Sequence, residues 1–492
     1  MKRKNIDREK RSSNISLAYI NEMLRECPDV IQKKVYIDNQ KEAFFFFVDG
    51  LTNKDLLQRD FINPILAMDQ SQLSSEIHMH NLSCNETSML YENADIVDSI
   101  LSGNSVFICE EISFAVACSL LEIEKRSIEE PITEKNVRGS HEGFVEPLGV
   151  NLSIIRRKIK NNKLKFKTVT LGVQTKQKVV VAYIEGIANP ELVDGLFDKI
   201  SNIEIDGLNQ IGYIEQSIAS HPNSLFPQFL ATERPDKAMA SLLEGRIVVF
   251  QDGTPVVLIA PVNFFAFFQA IDDYSSLWIQ GSLLRLLRFI ALVVAILLPS
   301  LYIAITTYHY HAVPLDLLVP LAESRAKVPF PPIIEVLILE VTIEMLREAA
   351  IRLPTYIGTA ISVVAGLIIG EAAVKAGIVS DLLIVIVAAT AVASYVIPSY
   401  GMSLAVRVLR FCFILAASLF GIIGIVVCTA MTFAHLLTLE SLGQPYFEPF
   451  IPLALGDMKD TLLRFPFKAM RRREKMIRTN NDIRGNDHDR KK

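Results

Sequence analysis

Small and hydroxylated side chains recur at helical spacing within residues 354–379. Steps of three or four positions put them on one face of a helix: Thr355, Thr359, Ser362, Gly366, Gly370 and Ala373. One interpretation is close helix packing in lipid, which the G-x-x-x-G of Gly366 and Gly370 suits. The other is the lining of a narrow pore shared between subunits. Val363 joins the pore-lining and gating candidates because tilting the helix moves its inward face by one residue.

Charged residues lie on both sides of this face. Glu371 and Lys375 are one turn apart, so they can pair or can ring the mouth of an opening and select ions. The stretch 333–352 carries several charges and cannot face lipid all round: Glu335, Glu340, Glu344, Arg347, Glu348 and Arg352. We predict an amphipathic helix there that is interfacial, re-entrant or water-facing. The candidate vestibule or gate charges are Glu340, Glu344, Arg347, Glu371 and Lys375, and a solvated surface helix is the alternative.

The sequence shows no other pattern typical of a catalytic or metal-binding site. It has no Walker loop, G-x-G-x-x-G, H-E-x-x-H or G-x-S-x-G. The pairs His78/His80 and His309/His311 have no further ligands nearby at the spacing that zinc needs, so we interpret them as surface histidines. The six cysteines are too few for a disulfide scaffold, and we expect free buried thiols. We predict no enzyme, no cofactor and no resident metal.

Two unlike parts of the 492-residue chain must position these side chains. Half of the residues are hydrophobic and only 21% are charged, against roughly 25% in soluble proteins. The net charge of −4 gives no overall field for binding nucleic acid. Up to about residue 288, short apolar strands alternate with charged helices. The fold class is therefore an α/β N-terminal region of two related subdomains, followed by an all-α multi-span membrane domain.

The membrane domain is expected over residues 281–440. Its spans should lie at about 289–308, 354–376, 381–398 and 408–436, since each is apolar enough to cross the bilayer. Just before it, the run FFAFFQA (264–270), together with Tyr274 and Trp278, resembles an interfacial aromatic belt.

Basic residues near the membrane predict the orientation. The chain opens with no apolar signal segment, and Arg285 and Arg288 precede the first span, so the N-terminal region is expected in the cytoplasm. The basic tail, 441–492, also reads as cytoplasmic, which needs four spans. Arg407 and Arg410 would then lie outside. Five spans would remove that conflict but send the tail outside, so we prefer four.

The soluble part contains an internal duplication. Residues 99–118 and 241–260 align without gaps, and each reads as a helix end, a glycine stop, a β-branched strand, a turn and a second strand. We divide this part into a basic N-terminal extension (1–40), subdomain 1 (41–130), a linker (131–149) and subdomain 2 (150–280).

Several longer stretches resemble the A subunit of spore germinant receptors, the GerA family of endospore-forming bacteria. They include EEPITEKNVRGSHEGF (129–144), TERPDKAMASLLEGRIVVFQDGTPVVLIAP (232–261), LREAAIRLP (346–354), GEAAVKAGIVS (370–380) and DMKDTLLRFP (457–466). Together they sample nearly the whole chain from about residue 40. The chain departs from the expected GQAAVEAG at Glu371 and Lys375, which puts an inherited charge selectivity in doubt.

The resemblance implies a multi-pass A subunit in the spore inner membrane, beside a transporter-like B subunit and a lipoprotein C subunit. It implies a homo-oligomer that forms a nutrient-gated channel for monovalent cations and triggers germination. The alternative is a non-conducting scaffold that assembles the receptor and relays the signal. A secondary transporter is weaker, since those proteins usually have ten or more spans with inverted repeats.

Overall fold

The computed structural model describes residues 15–37, 41–80, 82, 84, 86–109, 112–120, 134, 136, 138–352 and 370–485. Sheet 1 has five antiparallel strands in the order β1-β2-β4-β5-β3. They are β1 (Val30–Ile37), β2 (Lys41–Val48), β3 (Thr87–Leu90), β4 (Ser105–Cys109) and β5 (Ala115–Cys118). The helices of this part are α1 (Leu17–Met23), α2 (Lys54–Leu56), a π-helical turn (Leu57–Ile62), α3 (Asn63–Leu66), α4 (Gln70–Leu73), α5 (Glu76–His80) and α6 (Asn93–Leu101).

Strand β2 is apolar from Ala43 to Val48 because both of its faces are covered there. Phe45 and Phe47 pack into one core with Phe61, whereas Phe46 packs into another with Ile96 on the opposite face. Side chains alternate between the two faces of a strand, so a strand buried on both sides loses the polar alternation of an exposed sheet.

Residues 17–37 form α1 and β1, so the predicted basic extension over 1–40 is wrong for that part. Ser16 caps α1 by accepting a hydrogen bond from the Tyr19 amide. Strand β1 pairs with β2 along its whole length, at the edge of sheet 1. Lys33 and Lys34 are exposed there, as is common on edge strands. These charged residues interrupt the apolar pattern by which a strand is recognised in a sequence.

Sheet 2 repeats the strand order of sheet 1. Its order is β6-β7-β9-β10-β8, formed by β6 (Leu164–Leu171), β7 (Gln177–Ile184), β8 (Leu230–Thr232), β9 (Ile247–Gln251) and β10 (Val257–Ala260). Its helices are α7 (Leu148–Lys158), α8 (Pro190–Ser201), α9 (Ile211–Ile218) and α10 (Pro235–Glu244). Gly103 and Gly245 take the same left-handed turn ahead of β4 and β9, at φ of 95° and 93°. This shared order is what the predicted duplication requires.

A buried ion pair joins the two subdomains. The Arg156 guanidinium donates to both carboxylate oxygens of Asp29, at 2.6 and 3.0 Å, and also to the Asn161 and Leu164 carbonyls. Both side chains are almost fully buried. A buried pair stabilises a structure when its geometry is good and its other polar atoms are satisfied, as they are here.

The C-terminal half is helical. After α11 (Asp272–Ser275) come α12 (Trp278–Thr307), α13 (Leu315–Arg325), α14 (Pro332–Arg352), α15 (Asp381–Tyr395) and α16 (Tyr400–Thr438). In length and composition, α12 and α16 are suited to crossing a membrane. The predicted span 289–308 falls almost wholly within α12, and 381–398 overlaps α15, which ends ahead of Pro398. Of the predicted span 354–376, only residues from 370 onward are described.

Helix α16 is a hairpin rather than the single span predicted at 408–436. Gly421 has non-helical φ and ψ of 61° and −138°. A Cβ at Gly401 would lie 3.6 Å from Pro227, and His435 Nε2 lies 2.9 Å from Ser224 Oγ, so both ends of α16 reach one loop. A straight helix of this length would separate its ends by about 58 Å. The chain therefore reverses at Gly421. The sequence did not predict this turn because both arms are apolar and no polar loop separates them.

The tail folds back onto subdomain 2. It contains a small ladder of β11 (Glu440–Ser441) with β12 (Gln444–Pro445), followed by short 3₁₀ turns at Asp457–Asp460, Phe467–Ala469 and Lys475–Ile477. Ser441 Oγ accepts from the Val262 amide, and the Tyr446 hydroxyl donates to the Pro227 carbonyl at 2.7 Å. Tail and N-terminal region therefore lie on the same side of the helical bundle.

The aromatic run at 264–268 is buried, so the predicted interfacial belt is wrong for these phenylalanines, whereas Trp278 is exposed. It forms a 3₁₀ turn, and Phe264, Phe265, Phe267 and Phe268 lie in the core that subdomain 2 shares with the bundle. The tail supplies their partners: Phe265 stacks on Phe450 with ring centroids 5.0 Å apart. Composition alone could not separate a belt from a core, because these partners come from nearly two hundred residues later.

Cys84 and Cys118 form a disulfide, which corrects the expectation of free thiols for these two residues. Strand β3 pairs with β5, with Thr87 opposite Cys118, and this brings the two Cα atoms to 6.1 Å. The distance lies within the range that a disulfide needs. Cys27 is buried and unbridged, as expected.

Candidate functional site

Helix α14 carries the acidic residues that the sequence selected. It begins at Pro332, whose missing amide hydrogen costs nothing at a first helical position. Val336, Leu339 and Glu340 are buried against the bundle. Glu340 and Glu344 are four residues apart, so they project from the same face.

Two arginines of α16 meet these carboxylates. Arg410 Nη1 lies 3.1 Å from Glu340 Oε2, and its Nη2 lies 3.0 Å from Glu344 Oε1. Arg407 Nη1 lies 2.7 Å from Glu344 Oε2, and Arg347 Nη1 lies 3.2 Å from Glu344 Oε1. We call Glu340, Glu344, Arg347, Arg407 and Arg410 the Glu–Arg cluster. It sets three guanidinium groups against two carboxylates.

The cluster is buried and joins three helices. Glu340 and Arg410 are only 0% and 1% exposed. Arg347 also donates to Ser394 Oγ at 2.8 Å, and its guanidinium lies 4.5 Å from the centre of the Tyr395 ring, which ties α14 to α15. Among the described residues, neither oxygen of Glu340 has a well-aligned hydrogen-bond donor. Its contact with Arg410 is therefore held by charge.

The interfacial or water-facing helix predicted over 333–352 is corrected by these contacts. Glu335 in its first turn is also buried; it accepts from the Ser380 amide at 3.2 Å and lies 3.7 Å from Arg325. Only the end of the helix, with the exposed Arg352–Glu348 pair, fits the prediction. The spacing of these residues suggested ion pairs within one helix. In the structure, Glu340 and Glu344 also pair with arginines of α16. Arg407 and Arg410, three residues apart in an apolar run, were the available signal.

The remaining candidates lie outside this cluster. Glu371 and Lys375 pair with each other at 2.6 Å, and both side chains are more than half exposed. Gly370 is partly buried at the start of the helical residues 370–375. The other pore-lining and gating candidates fall outside the described residues: Thr355, Thr359, Ser362, Val363 and Gly366.

A second charged group, which the sequence missed, lies where α12 begins. Asp273 is fully buried and accepts from Arg285 at 3.2 Å and from Arg288 at 2.7 Å. Arg285 also contacts Asp460 of the tail at 2.8 Å, and the Tyr274 hydroxyl donates to Asp460 at 2.7 Å. We call these five residues the junction network.

Backbones approach closely at the junction network, and burial there raises the pKa of Asp460 and of Tyr274. A Cβ at Gly281 would lie 2.5 Å from the Asp273 carbonyl oxygen, so α12 can pack here only with glycine at that position. Burial raises the pKa of Asp460, and the Arg285 guanidinium opposes that shift. Burial also raises the pKa of Tyr274. The network fastens the tail and subdomain 2 to the start of α12.

Metal ligands do not gather within the described ranges of the chain. No group of three or more His, Cys, Asp or Glu side chains there could hold an ion.

Comparison with known proteins identifies the family. The family model described as "Bacillus/Clostridium GerA spore germination protein" matches residues 18–476. The chain belongs to the GerA family. The resemblance seen in the sequence is thereby confirmed.

Relatives of this GerA-family chain match it over most of its length. Spore germination protein GerQA of Bacillus cereus is 38% identical over 475 residues, covering 96% of this chain and 94% of the relative. Spore germination protein KA of Bacillus subtilis (strain 168) is 36% identical, covering 93% and 85%. The uncharacterized membrane protein YfkQ of the same strain is 38% identical, covering 91% and 88%.

One solved structure also resembles this GerA-family chain. It is the crystal structure of the N-terminal domain of the A subunit of the Bacillus megaterium spore germinant receptor GerK3. The match is 28% identical, has a TM-score of 0.38, and covers 52% of this chain and 99% of that chain.

Proposed function

We propose that this chain is the membrane A subunit of a nutrient germinant receptor and that its copies form a nutrient-gated channel for monovalent cations. Membership of the GerA family supports a role in spore germination. The proposed site is the spore inner membrane, with the N-terminal region in the cytoplasm. The proposed partners are a transporter-like B subunit, a lipoprotein C subunit, membrane lipid and further copies of this chain.

The observation that supports conduction best is the Glu–Arg cluster inside a bundle with an apolar exterior. Leu283 and Val293 on α12 and Leu419 and Ile423 on α16 are exposed, as lipid-facing residues are. Ionisable residues at membrane depth are expensive unless paired or hydrated, and they commonly mark ion pathways. A buried inward cluster with unequal charge can close such a path.

The packing of the helices supports a membrane topology with an even number of crossings. The tail binds subdomain 2, so both lie on one side of the bundle, which we propose is the cytoplasmic side. Glu335 contacts Ser380 at the start of α15, while Arg347 contacts Ser394 near its end, so α14 and α15 run parallel. Parallel helices need a returning segment between them, which is where the span 354–376 is predicted. With α12 and both arms of α16, we infer six crossings rather than four or five.

A second candidate, the non-conducting scaffold, is supported by the junction network. Buried ion pairs fix the start of α12, the tail and subdomain 2 together, as a relay of mechanical signals requires. Such a platform needs no ion path.

Reconstitution separates the two. Chain, B subunit and C subunit are placed together in potassium-loaded liposomes, and amino acids, sugars and nucleosides are added in turn. A channel releases potassium when the right nutrient is added. Intact complexes that show no triggered flux with any nutrient would leave the scaffold as the function.

A further inference from the structure

Residues 451–467 of the tail expose an unusual number of large apolar side chains. Leu453 and Leu455 are 67% and 71% exposed. The exposed set also contains Ile451, Leu463, Phe465 and Phe467. Large contiguous apolar surface on a protein marks an interaction site more often than scattered single residues do. We call residues 451–467 the tail loop.

The contacts of the tail loop fix it beside the start of α12. Phe450, just ahead of it, stacks on Phe265, which packs on Phe289 of α12. Asp460 within it contacts Arg285. The Arg464 amide donates to Ser282 Oγ at 3.1 Å. The loop therefore runs alongside residues 282–289 of α12.

The outward face of α12 continues the apolar surface of the tail loop. At this level α12 exposes Leu283, Leu286 and Leu287. The Arg464 side chain reaches the Ser276 carbonyl, two residues before the exposed Trp278. Loop and helix therefore expose apolar side chains side by side where α12 leaves the junction network for its long uncharged run.

Basic side chains border this surface. Lys459, Lys468, Arg471 and Arg472 are exposed, and in the described part of the chain none of them has an ion-pair or side-chain hydrogen-bond partner. Other tail arginines are occupied, for example Arg473 by the Leu243 carbonyl and Arg484 by Glu244. An apolar surface with a free basic rim has the chemistry of an anionic membrane surface.

We propose that the tail loop lies in the headgroup layer of the bilayer. Its apolar side chains enter the acyl boundary, and the four basic side chains meet phosphates of anionic phospholipids. The inference rests on the membrane placement proposed above. Because the loop also carries Asp460, lipid contact bears directly on the position of Arg285 and thus of α12.

The single tryptophan of the chain, Trp278, allows a direct test. The full chain is placed in lipid nanodiscs whose acyl chains carry bromine near the headgroup, which quenches nearby tryptophan. In a Trp278→Phe background, Leu455→Trp should lose at least half of its fluorescence. The matched control Tyr213→Trp, at an exposed aromatic site on α9, should lose none.

Wild-type Trp278 reports on the membrane placement itself. Quenching of Trp278 without quenching at Leu455→Trp would overturn the tail-loop inference and leave the proposed placement standing. Absence of quenching at both positions would overturn both.

Lipid charge provides the second arm. Replacing Lys459, Lys468, Arg471 and Arg472 by Gln should reduce quenching at Leu455→Trp at least twofold in phosphatidylglycerol and leave it unchanged in phosphatidylcholine. The control replaces four exposed lysines of subdomain 2 and should have no effect: Lys160, Lys176, Lys178 and Lys199. Equal quenching by both lipids in all variants would overturn the role of the basic rim.

A protein partner is the competing occupant. In membranes that hold the whole receptor, benzoylphenylalanine at position 455 should cross-link to phospholipid on illumination. A protein adduct in place of the lipid adduct would overturn the inference.

Discussion

Arg410 and Glu340 lie 3.1 Å apart, and both side chains are buried although they belong to different helices of the bundle. Taking either charge out of water is expensive, and their mutual attraction offsets that expense only while both are present. The pair therefore fixes how α14 packs against α16. Water entering this region would lower the cost of separating the two charges and so would weaken the packing of α14 against α16.

Removing one member of the pair should destabilise the bundle. We expect Arg410→Met to lower the free energy of unfolding by about 3–5 kcal/mol, because Glu340 is left as a buried unpaired charge. Glu344 keeps Arg347 and Arg407, so the double variant Glu340→Met/Arg410→Met should regain a good part of the loss. Thermal unfolding of the purified chain in detergent measures both.

Arg352→Gln serves as the control for that comparison. It breaks the exposed Arg352–Glu348 pair on the same helix and should change stability by less than about 1 kcal/mol. A double variant no more stable than Arg410→Met alone would contradict the assignment of the loss to an unpaired Glu340.

The reversal at Gly421 predicts a strong requirement for glycine. Gly421→Ala should cost about 2–3 kcal/mol, because an L-residue is strained at this φ and ψ. Its Cβ would also meet Tyr308 and His309 at 3.0–3.2 Å. Gly456→Ala, at a glycine with φ of −63° and open space around it, is the matched control. Equal melting temperatures for the two variants would argue for a continuous helix.

The pair that joins the subdomains should be similarly sensitive. Arg156→Met leaves Asp29 buried without a partner, and we expect a loss of about 3–5 kcal/mol. Proteolysis between the two sheets should become faster. Lys54→Met breaks the exposed Lys54–Asp49 pair in subdomain 1 and should leave the cleavage rate unchanged. If both variants are cleaved at the wild-type rate, the two subdomains are held by other contacts.

The predicted pore face makes an opposite pair of predictions. Gly366→Leu should block potassium release from spores exposed to nutrient, with the receptor still assembled, because a bulky side chain fills a narrow path. Val363→Ala should widen it, leak ions and lower spore stability. Gly195→Leu, at an exposed helical glycine of subdomain 2 with open space around it, controls for the substitution itself. Normal potassium release from Gly366→Leu spores would remove this helix from the conduction path.

The sequence predicted best where its signals are local. The glycine stops at Gly103 and Gly245 and the strands that follow them are encoded within about twenty residues. The repeat can therefore be recognised without knowing how the strands pair. Strand β1 was missed because its lysines are tolerated on an edge strand, which periodicity does not reveal.

Features that depend on residues far apart in the chain could not be predicted from the sequence. Arg407 and Arg410 conflicted with the expected topology because the positive-inside argument counts basic residues near a span as facing water, whereas these two pair with α14. The turn at Gly421 joins two apolar arms, so no polar loop announced it. The aromatic run at 264–268 packs against tail residues that follow much later in the chain, so its burial could not be predicted from its own composition.

The docking of the tail also sets an order for biosynthesis. Arg484 pairs with Glu244, the Asn480 amide donates to the Ile187 carbonyl, and Thr479 packs against Gly245, so tail residues cover a surface formed by residues made much earlier. A chain that stops before Asp460 leaves that surface bare and α12 without its Asp460 contact. The surface of subdomain 2 and the start of α12 are therefore covered only after residues 460–484 have been translated.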